Sequence, residues 1–132
     1  MKPALQAILI ASNNHQMKIN VMTGYKSITF REGHRDYHVG PVMLCDELES
    51  WVVKANIYDV QHKILSQLTQ EEWEADGFSS LEDTLGGLWV YYKDITMDSP
   101  VTVVKWNNIS GIWTEEENIK MFAEQYGVEA IL

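Results

Sequence analysis

Residues 50–66, SWVVKANIYDVQHKILS, alternate apolar and polar side chains over a span much longer than the common strand of about 5–6 residues. A strand turns successive side chains to opposite faces, so Trp51, Val53, Ala55 and Ile57 share one face. The run predicts one long, bent strand or two joined strands. Such a segment needs a sheet around it, and other stretches supply candidates. Residues 4–10 (ALQAILI) read as a buried strand or a short helix, with length and Ile/Leu content favouring a strand. Residues 27–31 (SITFR) alternate, with Ile28 and Phe30 towards a core and Ser27, Thr29 and Arg31 on the other face. Residues 42–46 (VMLCD), after a turn at His38-Val39-Gly40-Pro41, and 101–106 (VTVVKW) complete the set.

Helix signals lie between them. Ser12 is positioned to cap a helix over 13–23, with Gly24 as its left-handed stop and Met17 and Val21 facing inward. Thr69 and Glu72 form a capping box for a short helix ended by Gly77. Ser80 caps a further helix over roughly 81–93, in which Gly86-Gly87 is a weak point and Trp89, Tyr91 and Tyr92 are expected to pack in the core. Thr114 and Glu117 form a second capping box, and Ile119, Phe122 and Tyr126 make one apolar stripe on a last helix over about 114–126. Strands cluster and helices are inserted among them. The fold class expected is therefore α+β, or a small β-barrel with flanking helices, without the regular alternation of a doubly wound sheet. No repeat, low-complexity tract or linker divides residues 1–132, so a single domain is expected.

The charge is uneven. Residues 1–66 hold seven Lys/Arg against six Asp/Glu, and residues 67–132 hold three against thirteen. Bulk attraction to a polyanion is thereby disfavoured, and any nucleic acid must be met by a local patch in the first half. The apolar runs are too short to cross a bilayer, and the N-terminal run is too short for a signal peptide. The lone Cys45 rules out an internal disulfide framework and suits a reducing, cytoplasmic compartment.

Against this acidic background, GYKSITFREGHRDY at 24–37 gathers Lys26, Arg31, Arg35 and His34, with His38 just beyond. The chain here resembles the ASCH domain family of the PUA-like superfamily. Gly24-Tyr25-Lys26-Ser27-Ile28-Thr29-Phe30-Arg31 is similar to the family's Gly-x-Lys-(Ser/Thr)-x-x-x-Arg, and Arg35-Asp36-Tyr37-His38-Val39-Gly40 to its Arg-Asp-Tyr-x-x-Gly turn. Leu68-Thr69-Gln70-Glu71 through Asp76-Gly77-Phe78, then Ser80-Leu81-Glu82, and the closing Val101-Thr102-Val103-Val104-Lys105-Trp106 extend the likeness over about 24–106. Gly40-Pro41 departs from the family's frequent Gly-Asp and alters only the turn.

The resemblance implies a PUA-like barrel with flanking helices that binds RNA, single-stranded nucleic acid or a modified nucleoside in a local basic cleft. Lys26, Ser27, Thr29, Arg31, His34, Arg35 and Tyr37 are its expected lining. One branch of the family removes the acetyl group from acetylcytidine with a Lys and a Thr three residues apart and a downstream Glu. Lys26 and Thr29 match that spacing, and the acidic position falls at Asp76, one methylene shorter. A displacement of about 1 Å in such a group can cost ~100-fold in rate.

Other uses of these residues follow from their chemistry. Lys26 and Thr29 have opposite strand parity, so they converge only if Lys26 belongs to the helix exit and Thr29 to the strand. As a base Lys26 would have to shed its proton, with Thr29 as nucleophile; otherwise Thr29 is an ordinary strand residue and Lys26 an anion ligand. The Arg31 fork suits a phosphate or base edge, or a structural pair with Glu32, Asp36 or Glu49. Arg35 suits a phosphate or Asp36, and Tyr37 stacks on a base or packs on the sheet. His34 and His38 lack a third ligand in sequence, and no Gly-rich phosphate loop occurs, so neither metal nor cofactor is expected. Three functions remain: nucleic-acid or modified-nucleotide binding, amidohydrolysis of an acylated nucleoside by Lys26, Thr29 and Asp76, and a protein-interaction module using the acidic helices 69–93 and 114–126. The oligomeric state is not legible.

Overall fold

The computed structural model describes residues 4–10, 15–46, 52–113, 124 and 129–130. The strands are β1 (Ala4–Ile10), β2 (Ile28–Glu32), β3 (Gly40–Asp46), β4 (Val52–Ile64), β5 (Pro100–Trp113) and β6 (Glu129–Ala130); the helices are α1 (His15–Met22), α2 (Gln70–Ala75) and α3 (Leu81–Trp89). A 3-10 turn at Leu65–Gln67 links β4 to α2. The strands hydrogen-bond in the order β2-β5-β4-β3-β1-β6. β1 runs parallel to β3 and β6, whereas β3–β4 and β2–β5 are antiparallel. This is the α+β class expected.

The long alternation is realised as the 13-residue β4, with Val53, Ala55 and Ile57 buried on one face. Its first part belongs to a compact unit of residues 1–25, 39–58 and 106–132, and its second to a unit of residues 26–38 and 59–105. In the first unit Ile8, Ile10, Val42, Met43, Leu44 and Val21 of α1 are buried. Cys45 on β3 is a free thiol whose pKa burial pushes up to about 11, so it stays protonated at neutral pH. Gly24, at φ +80°, ends α1 in the left-handed region as expected.

The second unit has its own core. Ile28 and Phe30 of β2 and Val101 and Val103 of β5 meet Leu65, Leu68, Leu88 and Ile95, with Trp73, Phe78, Leu81 and Leu85 packed around them. α2 starts on the expected capping box: the Thr69 hydroxyl accepts from Glu72 N–H at 3.2 Å, and Glu72 Oε1 accepts from Thr69 N–H at 2.9 Å. It stops in a Schellman arrangement, with Phe78 N–H donating to Trp73 O and Gly77 N–H to Glu74 O, both at 2.9 Å. Gly77 supplies the positive φ, +90°, that this stop requires.

Several expectations are corrected. β5 continues seven residues past the expected end at Trp106 to Trp113, and Asn108 holds φ 58° within the strand, a conformation Asn tolerates. α3 ends at Trp89 rather than near residue 93, because the Leu88 carbonyl accepts from both Tyr91 and Tyr92 N–H and the chain turns to bury Ile95. Trp89 and Tyr91 are 55% and 53% exposed, so of the three aromatics only Tyr92 packs on the core. Gly87 is a packing requirement: a Cβ there would lie 2.5 Å from Phe78 Cε1, whereas at Gly86 it would meet nothing within 4 Å. Ser12, Glu49, Trp51, the Met17 side chain and the Thr114–Glu117 box with its Ile119, Phe122 and Tyr126 stripe lie outside the described residues; of 114–126 only Glu124 is described, as helical.

The two glycines should therefore respond in opposite senses. Gly87→Ala is expected to lose about 1–3 kcal/mol by overpacking against Phe78, and Gly86→Ala to gain about 0.5–1 kcal/mol from helix propensity. Urea midpoints at constant m-value measure both.

Candidate functional site

Lys26 lies between the α1 stop and β2, so it escapes the strand parity that would separate it from Thr29. Its ammonium donates to the Ile28 carbonyl at 2.8 Å, the carbonyl of the peptide that leads into Thr29. It also forms a short ion pair with Asp76. Asp76 is the C-cap of α2, held by the Schellman stop, and it comes from fifty residues further along the chain. Both side chains are largely buried, at 13% and 11% exposure. The shorter carboxylate at this position thus reaches Lys26 after all.

The electrostatics follow from this burial. Desolvation raises the Asp76 pKa and outweighs the charge and hydrogen bond of Lys26 and the charge of Arg31, which lower it. A second pair behaves oppositely. Lys63 Nζ donates to Glu72 Oε1 at 2.7 Å. Burial works to raise the Glu72 pKa, but the Lys63 hydrogen bond and charge, with the backbone and side-chain bonds to Thr69, hold it below the ordinary glutamate value.

β2 pairs with β5 so that Thr29 faces Val104 and Arg31 faces Thr102. Opposite residues of an antiparallel pair share a face, so Thr29, Arg31, Thr102 and Val104 stand together, away from Ile28 and Phe30. Thr29, Thr102 and Val104 are buried, with Thr29 at 6% exposure. Thr102 was not singled out from sequence. Its hydroxyl accepts from Arg35 N–H and donates to the Gly33 carbonyl, both at 2.7 Å, pinning the turn after β2. A Thr between two valines in VTVV was the available signal.

The basic turn forms its own group. Arg35 Nε donates to the Glu32 carbonyl at 2.9 Å; of the two uses considered for it, a phosphate or Asp36, the Asp36 pair does not form among the described residues. His34 stacks on His62 with ring centroids 4.7 Å apart, and His62 Nε2 lies 2.9 Å from the Arg35 carbonyl. His34 and Arg35 are exposed, and Ser27 and Tyr37 are half-buried. Lys26, Asp76, Thr29 and Arg31 are therefore brought to one region, and Thr102 joins it to the His34–Arg35 turn. Among the described residues, no group of three or more His, Cys, Asp or Glu is placed to hold a metal, and no helix is long and apolar enough to cross a membrane.

Comparison with solved structures identifies this architecture. A serine-to-alanine variant of ZmASCH from Zymomonas mobilis matches with TM-score 0.61 at 9% identity, covering 93% of this chain and 98% of that one. The chain has an ASCH-like, PUA-like fold. The unsubstituted Zymomonas mobilis ASCH protein gives TM-score 0.57 at 8% identity over 96% of this chain and 99% of its own. A DUF984 protein from Enterococcus faecalis V583 gives 0.60 at 9% identity over 86% and 84%. No family model and no curated protein matches the sequence.

Asp76→Asn strands the Lys26 ammonium without its counter-charge, and a loss of about 3–5 kcal/mol is expected. Replacing both partners, Lys26→Met with Asp76→Leu, is expected to be neutral or stabilising, as for other buried pairs. Urea unfolding distinguishes the two. Carboxyl NMR titration is expected to place Glu72 below and Asp76 above their ordinary values. The Glu72 contribution to stability is present above its unfolded-chain pKa and lost as pH falls through the lowered folded one; the Asp76 contribution is present at low pH and lost as pH rises through its raised folded pKa.

Proposed function

We propose that this chain binds a modified nucleoside or an unpaired RNA base through Lys26, Thr29, Arg31 and Asp76, with Arg35 towards the sugar-phosphate. The supporting observation is the Lys26 ammonium held between the Asp76 carboxylate and the Ile28 carbonyl, beside Thr29. Neutralised by Asp76, Lys26 suits the donor and acceptor edge of a base better than a run of phosphates. The carboxylate accepts, the ammonium and the Arg31 fork donate, and the Thr29 hydroxyl does either. The surplus of acid beyond residue 66 limits the footprint to one or a few nucleotides.

A second reading rests on the same contact. A lysine paired with a carboxylate beside a threonine hydroxyl is suited to acyl transfer from an acylated nucleoside such as acetylcytidine. Thr29 Oγ would attack the acyl carbon as its proton passes to the Lys26–Asp76 pair. The cytidine amine would leave carrying a proton, and water would then release acetate from Thr29.

Titration with acetylcytidine, cytidine and short single-stranded RNAs, followed by product analysis, tests both. Binding without turnover, weakened roughly tenfold or more by Lys26→Ala, about the loss of one good charged hydrogen bond, is the outcome expected of the binding site. Conversion of acetylcytidine to cytidine that vanishes in Thr29→Ala establishes the enzyme instead. If no nucleoside or RNA binds, both readings fail.

A further inference from the structure

The outward side of α3 carries features that a nucleoside site does not use. Helical periodicity puts Thr84 and Leu88 on the buried side and Glu82, Gly86, Trp89 and Val90 on the opposite one. Trp89 is 55%, Val90 71% and Tyr91 53% exposed, three consecutive large apolar residues in the open. An apolar patch of adjoining side chains at a surface is a marker of interaction. Its central ring is fixed, because Trp89 Nε1 donates to the Ile95 carbonyl at 2.8 Å. Gly86, one turn before Val90, leaves bare backbone on the same side of the helix, with open space where a side chain would stand. A rigid, half-exposed Trp next to a gap has the form of an interface anchor, where truncation typically removes most of the affinity.

The surrounding charge selects the occupant. Between residues 67 and 104 the sequence holds eight Asp or Glu and one Lys. Glu71, Glu74, Glu82, Asp94 and Asp98 are exposed, and Lys93 is the single exposed cation of that stretch. Phosphate backbones and anionic membranes are repelled by such a field. We propose that the Trp89-Val90-Tyr91 surface of α3 docks a basic segment of a protein partner, one in which Lys or Arg side chains flank one or two apolar residues. The apolar residues of the partner pack on Trp89 and Val90 over the Gly86 gap, and its cations face Glu82 and the neighbouring carboxylates. This surface is separate in composition from the Lys26–Asp76 site, so the two can be tested independently.

The probe is a fluorescent set of peptides with Leu or Phe flanked by Lys and Arg, alongside the same peptides with Glu in place of each cation. Anisotropy titrations use the full chain. The expected result is salt-sensitive binding of the basic set alone. Val90→Asp and Trp89→Ala are expected to weaken it at least about tenfold, and Glu82→Lys to weaken it less. The paired replacement Lys26→Met with Asp76→Leu, which leaves no unpaired buried charge, should leave it unchanged. Val90→Asp keeps the proposal testable if loss of the Trp89 hydrogen bond perturbs folding, and circular dichroism confirms that each variant is folded. The proposal is overturned if folded Val90→Asp binds like the wild type or if the Glu peptides bind equally. It is also overturned if no peptide binds, or if sedimentation shows a self-associated chain that Val90→Asp dissociates, since the occupant would then be a second copy.

Discussion

The pairing of Lys26 with Asp76 is the contact on which the candidate site depends. Two opposite charges at low exposure are stable only if each satisfies the other, and this requirement ties the segment after α1 to the end of α2. The Ile28 carbonyl supplies a second acceptor for the ammonium, so the pair is anchored to the start of β2 rather than to another mobile side chain. Thr29 and Arg31 then follow from strand geometry alone: once Ile28 and Phe30 are committed to the core, the residues between and after them must turn the other way.

The supporting parts are ordinary secondary-structure devices placed where they matter. The Thr69–Glu72 box starts α2, and the Lys63 ammonium reinforces its Glu72 carboxylate. Gly77 stops the helix and sets the Asp76 cap, and Phe78 immediately beyond packs against the backbone of α3 at Gly87. Thr102 performs the equivalent task on the other side by holding the 33–35 turn to β5. A lysine, an aspartate and a threonine are thus positioned by a helix stop, a glycine contact and a strand register.

Much of this was legible in the residues. Alternation located β4, and the Thr69 box and the two helix-stopping glycines, Gly24 and Gly77, are local signals that need no tertiary context. The Lys26–Thr29 spacing and the resemblance to ASCH domains pointed to Asp76, although the contact itself depends on how far the α2 stop projects, which spacing does not encode. The errors share one cause. Trp89 and Tyr91 were expected in the core because they are aromatic, but burial depends on which side of α3 the residue occupies and where the helix ends. Gly87 read as a weak point because a glycine lowers helix propensity, whereas its neighbour is a phenyl ring from outside the helix. The strand expected over 101–106 runs on to Trp113 through Asn108, whose positive φ a continuing strand accommodates.

The fifty residues that separate Lys26 from Asp76 also bear on what can be transplanted. GYKSITFREGHRDY contains most of the recognisable motif and none of the counter-charge. A fragment ending before α2, or a graft of the motif onto another sheet, would present a desolvated lysine with nothing to neutralise it. The motif is thus an address whose meaning is completed elsewhere in the chain. In this chain the basic stretch and the helix that stops on an acidic cap are halves of one arrangement.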